Sequence, residues 1–290
     1  MNPRGETIGT LIEEAARHLR AAGIETPRRE AAILLAHGLG LDAASMRLRD
    51  RHRTVGASDR AKFHDLVARR ATRAPLAHVT GTQGFWTLDL AVSDATLIPR
   101  ADSEVLIDSL LALRPGRAAA LRMLDLGTGT GCLLLAALSE YPRAWGIGVD
   151  RSPRACALAA ANARTNGLDG RSAFLCGCWS EALVPDARRF DLVLSNPPYV
   201  RSADIVGLMP EVARFEPALA LDGGADGLDA YRTILSGAAG LLADDGLAIV
   251  EIGVGQLDQV GAIAAESKLV LVSARSDLGG APRAIVLRRP

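Results

Sequence analysis

The chain has 290 residues, 49% of them hydrophobic, with 33 basic and 33 acidic side chains, enough for a sizeable core in one large or two ordinary domains. No apolar run reaches the roughly 20 residues that cross a bilayer, the first ten residues lack the apolar core of a secretory signal, and Cys132, Cys156, Cys176 and Cys178 have neither disulfide-framework nor zinc spacing. Residues 1–80 hold 14 Lys and Arg against 9 Asp and Glu, the remainder 19 against 24, and all five histidines fall in the first stretch; the rest of the chain therefore has no histidine base and no histidine-bound metal, which excludes most hydrolases and metalloenzymes.

A cytoplasmic protein with no membrane partner and no metal is the expectation. Thr10 to Glu13 has capping-box spacing, followed by helical periodicity to Gly23. Thr26-Pro27 reads as an N-cap with proline in the first turn of a helix ending near Gly38. A weaker helix is expected over 41–51, and Ser58 as the cap of another to about Thr72. Residues 1–77 are thus expected to form a small helical substrate-docking domain. Its arginine-rich surface has two readings, ordinary solvation or a docking face for an acidic or nucleic-acid-bearing partner.

Residues 78–95 change character. Gly81 and Gly84 interrupt a stretch carrying Phe85, Trp86, Leu88 and Leu90, which predicts a β-hairpin linker. A loop at 95–100, a helix opened by Ser103 and a breaker at 115–120 follow. From residue 121, strands (121–126, 145–149, 172–176, 190–194, 247–252) and helices (132–140, 153–166, 228–242, 255–266) predict a parallel sheet covered on both faces. Strands 269–273 and 284–288 have no helix between them and are expected to be antiparallel. The expected class is α/β, Rossmann-like, over residues 96–290.

Two stretches carry the chemistry. Gly127, Thr128, Gly129, Thr130 and Gly131 lie between a strand and a helix, which is a nucleotide-type site. A dinucleotide loop wants its third glycine at 132, where this chain has Cys132. G-x-G-x-G after Asp125 instead fits S-adenosylmethionine, whose ammonium can pair with an acid near the strand end. Asp150, ending the next strand, can accept both ribose hydroxyls of either cofactor. The second stretch is Ser195-Asn196-Pro197-Pro198-Tyr199. Two prolines stop the strand before them, because proline donates no ladder bond. Asn196 and Tyr199 then sit at the carboxyl end of a strand, where open α/β sheets bind ligands. An amide, free carbonyls and an aromatic face there suit a flat NH2-bearing group; a plain strand-ending turn is the alternative.

With GFW at 84–86, TLIPRADSE at 96–104, DLGTGTG at 125–131, SNPPYV at 195–200, RFEPALAL at 214–221 and GGADGLDAYR at 223–232, nearly the whole chain resembles the bacterial release-factor glutamine methyltransferases. That family usually shows IPRPDTE where this chain has IPRADSE, and an acidic residue where it has Cys178. The resemblance implies a class I S-adenosylmethionine-dependent methyltransferase with a mostly parallel seven-stranded sheet whose last strand is antiparallel. The implied substrate is the glutamine of the Gly-Gly-Gln motif in class 1 peptide-chain release factors. The implied cofactor residues are Gly127 to Gly131, Asp150, Trp179 and Asn196. For the acceptor amide, the Asn196 oxygen and the Pro197 carbonyl would take its two protons, Tyr199 would pack against its plane, and Pro198 would complete the slot. A monomer without direct nucleic-acid contact is expected. An adenine amino methylase of DNA or RNA shares the NPPY motif, but a basic channel is expected of it and residues 81–290 are net acidic. A cofactor-binding regulatory module without catalysis is the other alternative.

Overall fold

The computed structural model describes residues 6–41, 51–184, 189–277 and 279–290. Its described residues form two compact units, one from Met1–Gly81 with Met209–Phe215, the other from Thr82–Leu208 with Glu216–Pro290.

In the first unit, helices α1 (Ile8–Ala21), α2 (Pro27–Gly38) and α3 (Ala57–Ala71) enclose Leu11, Leu19, Leu34, Leu35 and Phe63, with a short α4 (Leu76–Thr80) beside them. The first cap lies one turn earlier than the sequence suggests. Thr7 is the N-cap, and its hydroxyl and backbone N–H exchange bonds with Thr10. The earlier start carries Ile8 into the core at 2% exposure. Thr26 and Pro27 hold their expected places, while α3 starts after Gly56 rather than at Ser58. The helix expected over 41–51 falls almost wholly outside the described residues. Pro210–Phe215 (α8 in chain order) joins this unit through Glu211, which accepts from Arg70 at 3.0 Å and Arg73 at 2.7 Å. Arg70 also donates to Glu30 at 2.5 Å. Two charges, Arg70 and Glu211, are thereby buried with partners, the form in which burial is tolerable.

The second unit opens on the hairpin β1 (Thr82–Phe85) and β2 (Leu88–Ala91). Expected as a linker, the hairpin instead contributes Phe85 and Leu90 to this unit's core, beside α5 (Glu104–Leu113) and α6 (Cys132–Glu140). The seven strands are β3 (Arg122–Leu126), β4 (Trp145–Asp150), β5 (Ser172–Cys176), β6 (Phe190–Ser195), β7 (Leu242–Glu251), β8 (Val270–Ser276) and β9 (Pro282–Arg288). Their order is β5-β4-β3-β6-β7-β9-β8. All pairings are parallel except those of β9, the last strand, which runs antiparallel to both neighbours, as expected. α7 (Pro153–Thr165), α9 (Asp229–Leu241) and α10 (Leu257–Glu266) complete the layers.

Side-chain alternation builds two cores. Met123, Leu192 and Leu194 face one, with Leu134 and Tyr141; Leu124, Leu126 and Val193 face the other, with Tyr231 and Ile234. β7 begins five residues before its expected start. Leu242 pairs with Phe190 and a bulge follows, so the turn-like run 243–246 is carried inside the strand. Strand order reverses between β3 and β6, and such switch points open a crevice at the carboxyl ends of the strands.

Candidate active site

The loops leaving β3, β4 and β6 surround a cavity of about 620 Å³ in the second unit. Gly127, Thr128, Gly129 and Thr130 form one wall, with Asp150, Trp179, Asn196 and Pro198 around it. Of the residues expected at the site, Gly131, Pro197 and Tyr199 are outside that wall.

The glycine loop needs its glycines. Gly127, Gly129 and Gly131 have φ of +76°, +54° and +83°, a region costly to residues with a Cβ. A Cβ on Gly131 would lie 3.2 Å from both Ala159 and Leu135, so this third glycine serves helix packing. The loop is held by Asp150. Its Oδ2 accepts the Gly129 N–H and its Oδ1 the Ser152 N–H, both at 2.9 Å. The carboxylate is therefore oriented with lone pairs left for a ligand.

Asp125 departs from expectation. Alternation puts it on the face of Met123, under α6, and it does not line the cavity. Its Oδ2 accepts the Thr128 hydroxyl at 2.7 Å. Burial pushes its carboxyl up to about 7, against the pull of that hydrogen bond. It braces the loop from behind.

Around Asn196 lies a network that local sequence patterns do not announce. The Asn196 Nδ2 donates to Ser103 Oγ at 3.0 Å, and Ser103 donates to Glu251 Oε2 at 2.5 Å. Tyr199 donates its hydroxyl to Glu251 Oε1 at 3.1 Å. Burial holds the Tyr199 phenol far above its ordinary pKa, so it remains a donor. Gln256 fixes the tail of the motif, donating to the Tyr199 carbonyl at 3.2 Å and accepting the Gly253 N–H at 3.0 Å. Ser103 and Glu251 come from a loop and a strand end more than 50 residues from Asn196 in sequence.

Two further ties join motifs that the sequence shows only separately. Arg100, of IPR, donates to the buried Glu216, of RFEP, which also accepts the Ile98 N–H at 3.4 Å. Asn162 exchanges hydrogen bonds with Ala91 of β2 and donates to the Thr130 carbonyl at 2.9 Å. The hairpin and the glycine loop thus share one buried amide.

Among the described residues, no group of three His, Cys, Asp or Glu is placed to hold a metal ion, and no helix is long and apolar enough to cross a membrane.

A sheet of this order, with a glycine loop after its central strand and an Asn-Pro-Pro-Tyr turn beside it, defines an α/β methyltransferase. Residues 101–213 match the methyltransferase small domain family, and residues 10–81 the PrmC N-terminal domain family. Two solved structures share the fold, the hMettl16 catalytic domain (TM-score 0.54, 14% identity, 77% of this chain and 82% of that one) and a T. thermophilus 16S rRNA methyltransferase (0.50, 16%, 72% and 50%). The release factor glutamine methyltransferase of Rhodospirillum rubrum is 44% identical over 97% of this chain and 85% of its own length. That of Agrobacterium fabrum is 40% identical over 98% of each. The chain belongs to the release factor glutamine methyltransferase family.

Proposed function

We propose that this enzyme transfers a methyl group from S-adenosylmethionine to the side-chain amide nitrogen of the glutamine in the Gly-Gly-Gln motif of class 1 peptide-chain release factors, acting as a cytoplasmic monomer. The observation that carries the reading is the orientation of Asn196. One N–H of its Nδ2 goes to Ser103, which turns that end of the amide toward Ser103 and leaves Oδ1 as the end that can accept an N–H of the acceptor.

The cavity suits the cofactor. A Cβ on Gly129 would meet nothing nearer than Thr96 at 3.9 Å, so the loop backbone opens into free space there. The Thr96 hydroxyl, on the same wall, is buried without a partner. Asp150 would take the ribose hydroxyls, and Trp179, lying against Gly127, would supply a flat face for the base. When bound, the cofactor supplies an electrophilic methyl on a sulfonium that leaves as a neutral thioether, so no acid is required.

The harder task falls to the acceptor, because an amide nitrogen delocalises its lone pair into the carbonyl. Asn196 Oδ1 and the Pro197 carbonyl, each accepting one N–H, would fix the nitrogen and favour a localised lone pair. Neither proline has an N–H, so the chain at 197–198 offers carbonyls alone. Tyr199, anchored on Glu251, holds the turn that carries Asn196 and Pro197. Positive charge on the methylated nitrogen acidifies its two protons, one of which water removes; residues 81–290 contain no histidine to do so. Positioning and electrostatics would supply most of the rate.

Adenine methylation would use the same turn, but residues 81–290 are net acidic and the relatives named above are release factor glutamine methyltransferases. Labelled cofactor offered release factor, DNA and RNA in parallel should label release factor alone. Preferential label on nucleic acid would reverse the reading.

A further inference from the structure

A carboxamide keeps nearly the same shape when its oxygen and nitrogen exchange places. Packing alone therefore does not decide which end of Asn196 meets the acceptor; a sequence of donors does. Glu251 ends β7 and Ser103 precedes α5, and each is 2% exposed. Glu251 accepts from Ser103 at 2.5 Å and from Tyr199 at 3.1 Å. With its one proton committed to the carboxylate, Ser103 Oγ has only lone pairs for Asn196, which must present Nδ2, at 3.0 Å.

We propose that Glu251 is a positioning residue which, through Ser103, fixes the Asn196 amide with its oxygen toward the acceptor and so selects an acceptor bearing N–H. This rests on the reading of Asn196 as the group that grips the acceptor amide. The relay is reversible in principle. A protonated Glu251 would donate to Ser103, Ser103 would donate to Asn196 Oδ1, and the amide would turn its NH2 against the NH2 of the acceptor. Burial pushes Glu251 up to about 6, while its bonds from Ser103 and Tyr199 and the nearby Arg283 pull it down and Asp102 pushes it up. Cys132 and Tyr231 also face it, both with pKa values raised mainly by burial. Arg283 is itself held by Asp277 at 2.9 Å and Asp102 at 3.3 Å.

The test compares Ser103→Ala, Ser103→Thr and Glu251→Gln with the natural enzyme. Ser103→Ala should lower kcat on release factor at least roughly tenfold while cofactor affinity holds. Ser103→Thr, which keeps the hydroxyl, should recover most of the loss. Natural-enzyme kcat should fall as pH drops through about 6, and that step should vanish in Glu251→Gln, whose side chain does not titrate. A second readout needs no turnover. The side-chain amide resonances of Asn196, identified by their loss in Asn196→Ala, should shift with that same midpoint in the natural protein and stay fixed in Glu251→Gln. If the natural enzyme leaves release factor unmethylated, the functional reading fails and the amide resonances still judge the relay. Unchanged kcat in Ser103→Ala, equal damage from Ala and Thr, or pH-invariant amide resonances in the natural protein would each overturn it.

Discussion

A Cβ on Gly127 would sit 3.0 Å from Cζ3 of Trp179, so the indole lies directly against the loop backbone. Trp179 holds this place with a φ of +47°, a conformation that costs a non-glycine residue energy and is found preferentially at functional sites. Gly127→Ala should therefore destabilise the protein by about 1–2 kcal/mol from backbone strain alone, and displace the indole as well. Gly129→Val differs. Its added atoms enter the cavity rather than a neighbour, so calorimetry should show cofactor binding abolished. Unchanged affinity in both variants would contradict the cofactor assignment.

Asp150→Asn tests the other wall. One of the N–H groups of Gly129 and Ser152 would then face an NH2, and a ligand hydroxyl would lose a charged acceptor. A charge-assisted hydrogen bond is worth about 1.5–3 kcal/mol, so S-adenosylmethionine should bind roughly 10- to 100-fold more weakly. Equal affinity by calorimetry would remove Asp150 from the site.

Asp125 gives a pH dependence with a definite sign. Its folded pKa, about 7, lies above the ordinary carboxylate value of 3.8 because of burial. The native state thus holds a proton that the unfolded chain has lost. Stability from this group is fully present at the acid end and is lost as pH rises through 7. Without cofactor, Asp125→Asn should be more stable than the natural protein above neutrality, on the order of 2–4 kcal/mol. The gap should close as pH falls. Denaturant titrations showing a pH-independent gap would place the penalty elsewhere.

The strand–glycine–helix unit and the proline-stopped strand were legible because each is written in consecutive residues. Local periodicity also predicts the sheet, and the lack of a helix between 269–273 and 284–288 predicts its antiparallel last strand. What stayed hidden are contacts between distant segments. Ser103 reads only as a helix-opening serine, yet its hydroxyl goes to Glu251, 148 positions away. Asp125 reads as a strand-end acid, but alternation turns it behind the loop. The start of β7 was misplaced because its bulge resembles a turn.

Glu211 was equally hidden, in a segment that follows the NPPY turn but belongs to the helical unit. Glu211→Ala would leave Arg70 with Glu30, and Arg73 with backbone carbonyls, at a cost of about 1–3 kcal/mol. Chemical denaturation would measure it; a change under about 0.5 kcal/mol, the range of ordinary surface substitutions, would contradict the buried cluster. For the same reason, removing residues 1–77 would strip Glu211 of its partners. The proposed docking role of the positively charged N-terminal stretch is better tested on the full chain. Its affinity for release factor should fall with added salt while cofactor affinity holds; a salt-independent Michaelis constant would oppose docking by charge.

The most direct measurement is mass spectrometry of a release factor after incubation with enzyme and S-adenosylmethionine. A single added methyl should map to the glutamine of the Gly-Gly-Gln loop. Asn196→Ala should slow its appearance at least roughly 100-fold, the scale for removing a positioned polar group at a reacting centre. A substrate with glutamate at that position, which has no NH2 to grip, should stay unmodified. Methylation of the glutamate substrate, a methyl on another residue, or full activity in Asn196→Ala would contradict the assignment of Asn196 as the group that holds the acceptor amide.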